Sequence, residues 1–152
     1  MITTSLSTVA DTIQTAIAPV FLLAGIGAVL NVMVGRLARI VDRARSVEQL
    51  HPRSTGVEHD RHVAELRLID RRITVINSAI FLSVSAALAI CLVVVMMFVA
   101  RLANFHVGPA VAVAFIISML LLMGGLILFL IEVRLSLAAI HVREELLELD
   151  RK

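Results

Sequence analysis

AIAPVFLLAGIGAVLNVMVGRLARIVDRAR, residues 16–45, passes from an uncharged run into a densely charged phrase without a break. Its first part, residues 16–34, carries no ionisable side chain. It is close to the roughly 20 apolar residues that a helix needs to cross a bilayer core. Arg36, Arg39, Asp42, Arg43 and Arg45 follow at once. No Gly or Pro interrupts residues 36–50, and apolar residues recur at Leu37, Ile40 or Val41, Ala44 and Val47. That is helix spacing. The reading is therefore one helix that spans a membrane and keeps going. From Thr12 to Leu50 it would be about 58 Å long at about 1.5 Å per residue.

The rest of the chain fits a membrane class. Of 152 residues, 59% are hydrophobic, and the mean hydropathy is +0.96. A soluble domain of this length has no interior large enough to bury so much apolar surface. Trp and Tyr are absent, so aromatic belts at the membrane surface must be missing or made of Phe. Cys91 is the single cysteine and lies in an apolar run, where a thiol behaves as a small hydrophobe. The opening MITTSLSTVADTIQ has no basic residue and no cleavage pattern, so no secretory signal is expected.

Three spans are predicted, at about 13–34, 73–99 and 107–131. Gly108-Pro109 is a natural start for the third. Basic residues set the orientation. Segment 35–72 holds nine of the 14 Lys and Arg residues, the tail after Ile131 holds four, and Arg101 stands alone between spans two and three. The positive-inside rule then places the N-terminus outside and the C-terminus in the cytoplasm. The expected fold is an all-α membrane protein, one domain over 1–152. Residues 35–72 form a long cytoplasmic helical hairpin between spans one and two, and 132–152 form a C-terminal cytoplasmic helix. Leu135, Ala139, Val142, Leu146 and Leu149 give that tail a heptad-like seam.

One charged phrase is written twice: Arg39-Ile40-Val41-Asp42-Arg43 and Arg67-Leu68-Ile69-Asp70-Arg71. Folding residues 36–72 about Thr55-Gly56 puts Asp42 between Arg67 and Arg71, and Asp70 between Arg39 and Arg43. The repeat reads as a charge clasp, because the planar guanidinium fork holds a carboxylate well. Exposed pairs contribute only about 0–1 kcal/mol each, so such a clasp would fix register more than it stabilises. The alternative use of these arginines is contact with anionic lipid at headgroup level, or guarding an ion path.

The same fold brings Asn31 towards Asn77 or Ser78, and Ala24 towards Ser85. Thr74, Asn77, Ser78 and Ser85 recur at helical spacing. This is a candidate polar path, or a helix-packing stripe of small and amide side chains. Glu132 closes the third apolar run and is expected at the interface, paired with Arg36. His59 and His62, with His51 nearby, suit a solvated hairpin tip better than a metal site. There is no Walker loop, nucleophile elbow, CxxC or zincin motif. Neither catalysis, a cofactor, a metal nor nucleic-acid binding is indicated.

The run IAPVFLLAGIGAVLNVMVGRLARIVDRAR, with RLIDRRITVINSAI downstream, resembles the signature of a family of small bacterial inner-membrane proteins catalogued as a domain of unknown function. The resemblance spans nearly the whole chain. It implies three spans in the bacterial inner membrane, and it implies no activity or site residues. Three spans enclose little interior, so a homo-oligomer in the lipid bilayer is expected. It would be a non-enzymatic pore or ion-conducting assembly, or else a scaffold or regulatory subunit whose cytoplasmic helices bind a partner.

Overall fold

The computed structural model describes residues 2–50, 56–103 and 108–144. They form three helices: α1 (Ile2–Leu50), α2 (Val57–Ala103) and α3 (Gly108–Glu144). Among the described residues there is no strand. Each helix contains a stretch long and apolar enough to cross a membrane: Ile17–Gln49, His62–Ala103 and Gly108–Leu137. The architecture is that of a multi-pass membrane protein.

The apolar runs do continue as helix into the charged segments. Two boundaries differ from the sequence expectation. Helix α1 begins at Ile2, ahead of the apolar run, so Pro19 lies well inside it. Helix α2 begins at Val57, before the apolar periodicity resumes. Gly56, just ahead, has φ +66°, a left-handed backbone that glycine adopts at no steric cost. Helix α3 starts at Gly108-Pro109, where the missing proline N–H would be unpaired in any case. Of the expected tail seam, the side chains of Ala139 and Val142, and all of Leu146 and Leu149, lie outside the described residues.

Buried positions recur every seven residues. On α1 they are Pro19, Ile26, Met33, Ile40 and Val47. On α2 they are Ile69, Ile76, Ser83 and Ile90, with Ala79, Ala86 and Val93 interleaved. On α3 they are Ser118, Gly125 and Glu132. This interval keeps one seam of a helix turned towards its neighbours.

The chain divides into two compact units. In the first, Met1–Val32 and Phe81–Gly124, the buried side chains include Ile26, Ser83, Ala86, Ile90, Val93 and Ser118. The Ser118 hydroxyl donates to the Phe115 carbonyl at 2.7 Å, which satisfies it within its own helix. In the second, Met33–Ile80 and Gly125–Lys152, Ile40, Val47, Ile69 and Ile76 form a core flanked by Leu37, Ala44, Leu66, Ile73 and Ile80. That core joins α1 to α2 along the segment expected to be a hairpin.

Candidate functional site

The second unit contains the one fully buried carboxylate among the described residues, Glu132 on α3. A lone carboxylate in an apolar setting is costly, and the usual remedy is a cationic partner. Here there are two. Arg36 of α1 donates from Nη1 to Oε2 at 2.9 Å. Arg72 of α2 donates from Nη2 to Oε1 at 3.0 Å, and also to the Ser136 hydroxyl at 2.8 Å. Both carboxylate oxygens are thus engaged, one from each of the other helices. Arg36 also lies over the Phe129 ring, 5.8 Å from its centroid. Such a cation–π contact is worth about 0.5–1 kcal/mol where water reaches it.

Beside this triad is a cavity of about 310 Å³. Arg36, Arg39, Arg43 and Arg72 line it, with Glu132 and Ser136; Ile40 and Ile69 close its apolar side. Arg43 is held by Glu65, whose Oε1 accepts from Nε at 2.9 Å and from Nη2 at 2.6 Å. The Arg39 side chain is exposed and belongs to no ion pair among the described residues. The Nε of Arg72 is buried and has no acceptor. An N–H in that state costs about 1–3 kcal/mol of lost hydration.

The residues singled out from the repeat are placed as follows. Arg39, Asp42, Arg43, Arg67, Asp70 and Arg71 are all exposed. Among the described residues, ion pairs join Arg43 to Glu65 and Glu132 to Arg36 and Arg72; none reaches Asp42 or Asp70. The geometry of α1 explains Asp42. At about 100° per residue, it stands about 200° around the helix from buried Ile40, away from the packed face. Glu65 is a residue that the repeat did not flag.

Of the polar stripe, Asn31 is exposed and Ser85 half-buried in the first unit. In the second unit Thr74 and Asn77 are exposed and Ser78 is half-buried. The Thr74 and Ser78 hydroxyls donate to the carbonyls one turn back, of Asp70 and Thr74, at 3.1 and 2.8 Å. Among the described residues, no group of three or more His, Cys, Asp or Glu side chains is placed to hold a metal ion. His59 and His62 are half-buried, and His51 lies outside the described residues. Cys91 is exposed.

No motif or spacing in the sequence sets Arg72 or Ser136 apart from their neighbours. In the sequence, Glu132 is marked by its place at the end of the third apolar run. One family model matches residues 16–142, and its description is "Protein of unknown function (DUF2721)". No curated protein matches the chain, and no solved structure does.

Proposed function

Because the chain belongs to this family of proteins of unknown function, we propose a function from its own side chains: a non-enzymatic membrane protein that self-associates in the bacterial inner membrane. The observation that carries this reading is Asn77, exposed on a helix apolar enough to cross a membrane. Asn31 has the same standing on α1. Lipid offers a carboxamide no hydrogen-bond partner, whereas a second copy or a water-filled path does. The most apolar windows of the three helices are only 11%, 22% and 11% buried within the chain. Ample surface therefore remains for packing between copies.

The stripe's hydroxyls favour dry packing over a wetted path. Thr74 and Ser78 satisfy their donors on their own helix, so neither needs water. The first reading is accordingly a non-conducting scaffold or regulatory subunit, with the charged helical segments on the cytoplasmic side available to a partner. The second reading is a pore with Asn31, Thr74, Asn77, Ser78 and Ser85 along its axis. It is favoured by the exposed carboxamides alone.

Native mass spectrometry in mild detergent tests self-association. The parent is expected to form a defined oligomer, and Asn77→Leu is expected to shift it towards monomer. Monomer alone for the parent, across detergents, would end this proposal. Thiol accessibility then separates the two readings. Single cysteines at positions 78 and 85 are made in a Cys91→Ser background, since Cys91 is exposed. A pore wets both positions, and packed helices leave them dry. Ion flux from liposomes, beside Asp42→Asn and Ser85→Leu, gives the functional readout.

A further inference from the structure

We infer that the cavity beside Glu132 is a binding site for a phosphate group, carried by a lipid headgroup or free in solution. The inference stands apart from self-association, because every residue in it comes from one chain. Four guanidiniums line the cavity against a single carboxylate. Arg36 and Arg72 share that carboxylate, and Glu65 takes Arg43. Arg39 has no carboxylate partner among the described residues, and the Arg72 Nε–H has no acceptor although it is buried. The lining thus keeps positive charge and at least one unsatisfied donor facing no protein acceptor. Arginine is suited to phosphate because its fork presents parallel N–H groups to two oxygens.

The volume, about 310 Å³, is at the lower end for small-molecule sites. It is larger than a phosphate group alone and admits one together with part of the headgroup or the water that accompanies it. Its location also points to this chemistry. Arg36 follows the first apolar run, Arg72 precedes the second and Glu132 ends the third. That is the depth at which phosphodiesters lie in a bilayer leaflet, and at which basic residues meet anionic lipid. Ser136 adds a hydroxyl on the charged side of Glu132.

The test uses the full chain purified in an uncharged detergent and freed of lipid. In one arm, phosphatidylglycerol or phosphatidylcholine is added and retention is read by native mass spectrometry. In the other, inorganic phosphate is titrated and the thermal midpoint is followed. Arg39→Gln is the probe, since Arg39 is exposed and in none of the described ion pairs. Arg45→Gln is the control, an exposed arginine on the same helix that does not line the cavity. Helicity of both variants is checked by circular dichroism.

The expected result is retention of phosphatidylglycerol over phosphatidylcholine, weakened about tenfold by Arg39→Gln and unchanged by Arg45→Gln; tenfold corresponds to loss of about one charge-assisted contact. A response to inorganic phosphate alone, with the same dependence on Arg39, supports the site and assigns it to free phosphate. No binding in either arm overturns the inference. Equal weakening by the two variants also overturns it, because that is the behaviour of a diffuse basic surface.

Discussion

Replacing Glu132 with Gln removes the charge on which two helices converge while leaving the side chain's shape almost intact. The parent carboxylate accepts from Arg36 at 2.9 Å and from Arg72 at 3.0 Å, with no exposure of its own. A carboxamide offers one oxygen. One guanidinium keeps a neutral acceptor, and the other meets an NH2 group. Hydrogen bonds to charged groups contribute about 1.5–3 kcal/mol, so losing one and weakening the other costs about 2–4 kcal/mol. The side chains of Arg36 and Arg72 are 28% and 18% exposed. Water therefore recovers part of the loss, which brings the expected destabilisation to about 2–3 kcal/mol. At about 1.4 kcal/mol per decade this is about a 30- to 150-fold change in the folding equilibrium. The assay is reversible unfolding in mixed micelles, followed by helical circular dichroism. The triple variant Glu132→Leu, Arg36→Met, Arg72→Met should recover most of the loss, because a buried ion triad can be replaced by apolar side chains at little or no cost. If Glu132→Gln unfolds within about 0.5 kcal/mol of the parent, the reasoning about the buried carboxylate is refuted.

Three other substitutions probe single features. Arg43→Gln should cost under about 1 kcal/mol, less in high salt, because Arg43 and Glu65 are 50% and 33% exposed; the same unfolding assay, run at two ionic strengths, reads it. Gly56→Ala should destabilise by about 1 kcal/mol and Gly56→Asn by less, since φ is +66° there; a larger loss for Asn would contradict the turn geometry. An alanine Cβ at Gly124 would approach Leu82 Cδ2 to 2.9 Å, and the flexible leucine can yield. Gly124→Ala should therefore fall within about 1 kcal/mol of the parent, while Gly124→Ile should lose about 1–3 kcal/mol by overpacking.

What the sequence made readable followed from local rules. Helix past the first span was legible because residues 36–50 lack Gly and Pro and repeat apolar residues at helical spacing. The start of α1 at Ile2 was not, because residues 2–12 are mostly Thr and Ser, with no long apolar run and no acidic first turn to mark a helix start. The repeated phrase drew attention to two aspartates because a repeat is visible in a string. Which carboxylate meets which arginine depends instead on helix rotation. Rotation carries Asp42 away from the packed face and leaves Glu65 within reach of Arg43. Glu132 and Arg36 each close an apolar run, which marks them as candidates. That Arg72 and Ser136 join them depends on the depth of α3 beside α2 in this unit, and no periodicity encodes depth.

That depth is itself a problem that Glu132 can solve. Among the described residues, the buried positions on α3 are a serine, a glycine and a glutamate. None is a large apolar side chain, so packing at these positions does little to set where α3 stops along its axis. A slip of seven residues keeps the same face inward and moves the helix about 10.5 Å at about 1.5 Å per residue. It would set Gly125 or Ala139 opposite Arg36 and Arg72, and neither accepts a side-chain hydrogen bond. Two arginines deprived of their carboxylate would disfavour the slipped state by several kcal/mol. A polar residue at one core position is the established way for helices to specify register at some cost in stability. On this hypothesis the apolar triple variant regains stability and loses register. Spin labels at positions 74 and 137, both exposed and both in the second unit, read the outcome in a Cys91→Ser background. Diluted with unlabelled protein, so that only distances within one chain are read, the parent should give one narrow distribution. The triple variant should give a broadened or two-peaked one, even where its unfolding free energy matches the parent. An equally narrow, unshifted peak would show that register is set elsewhere, leaving Glu132 to the electrostatics of the cavity alone.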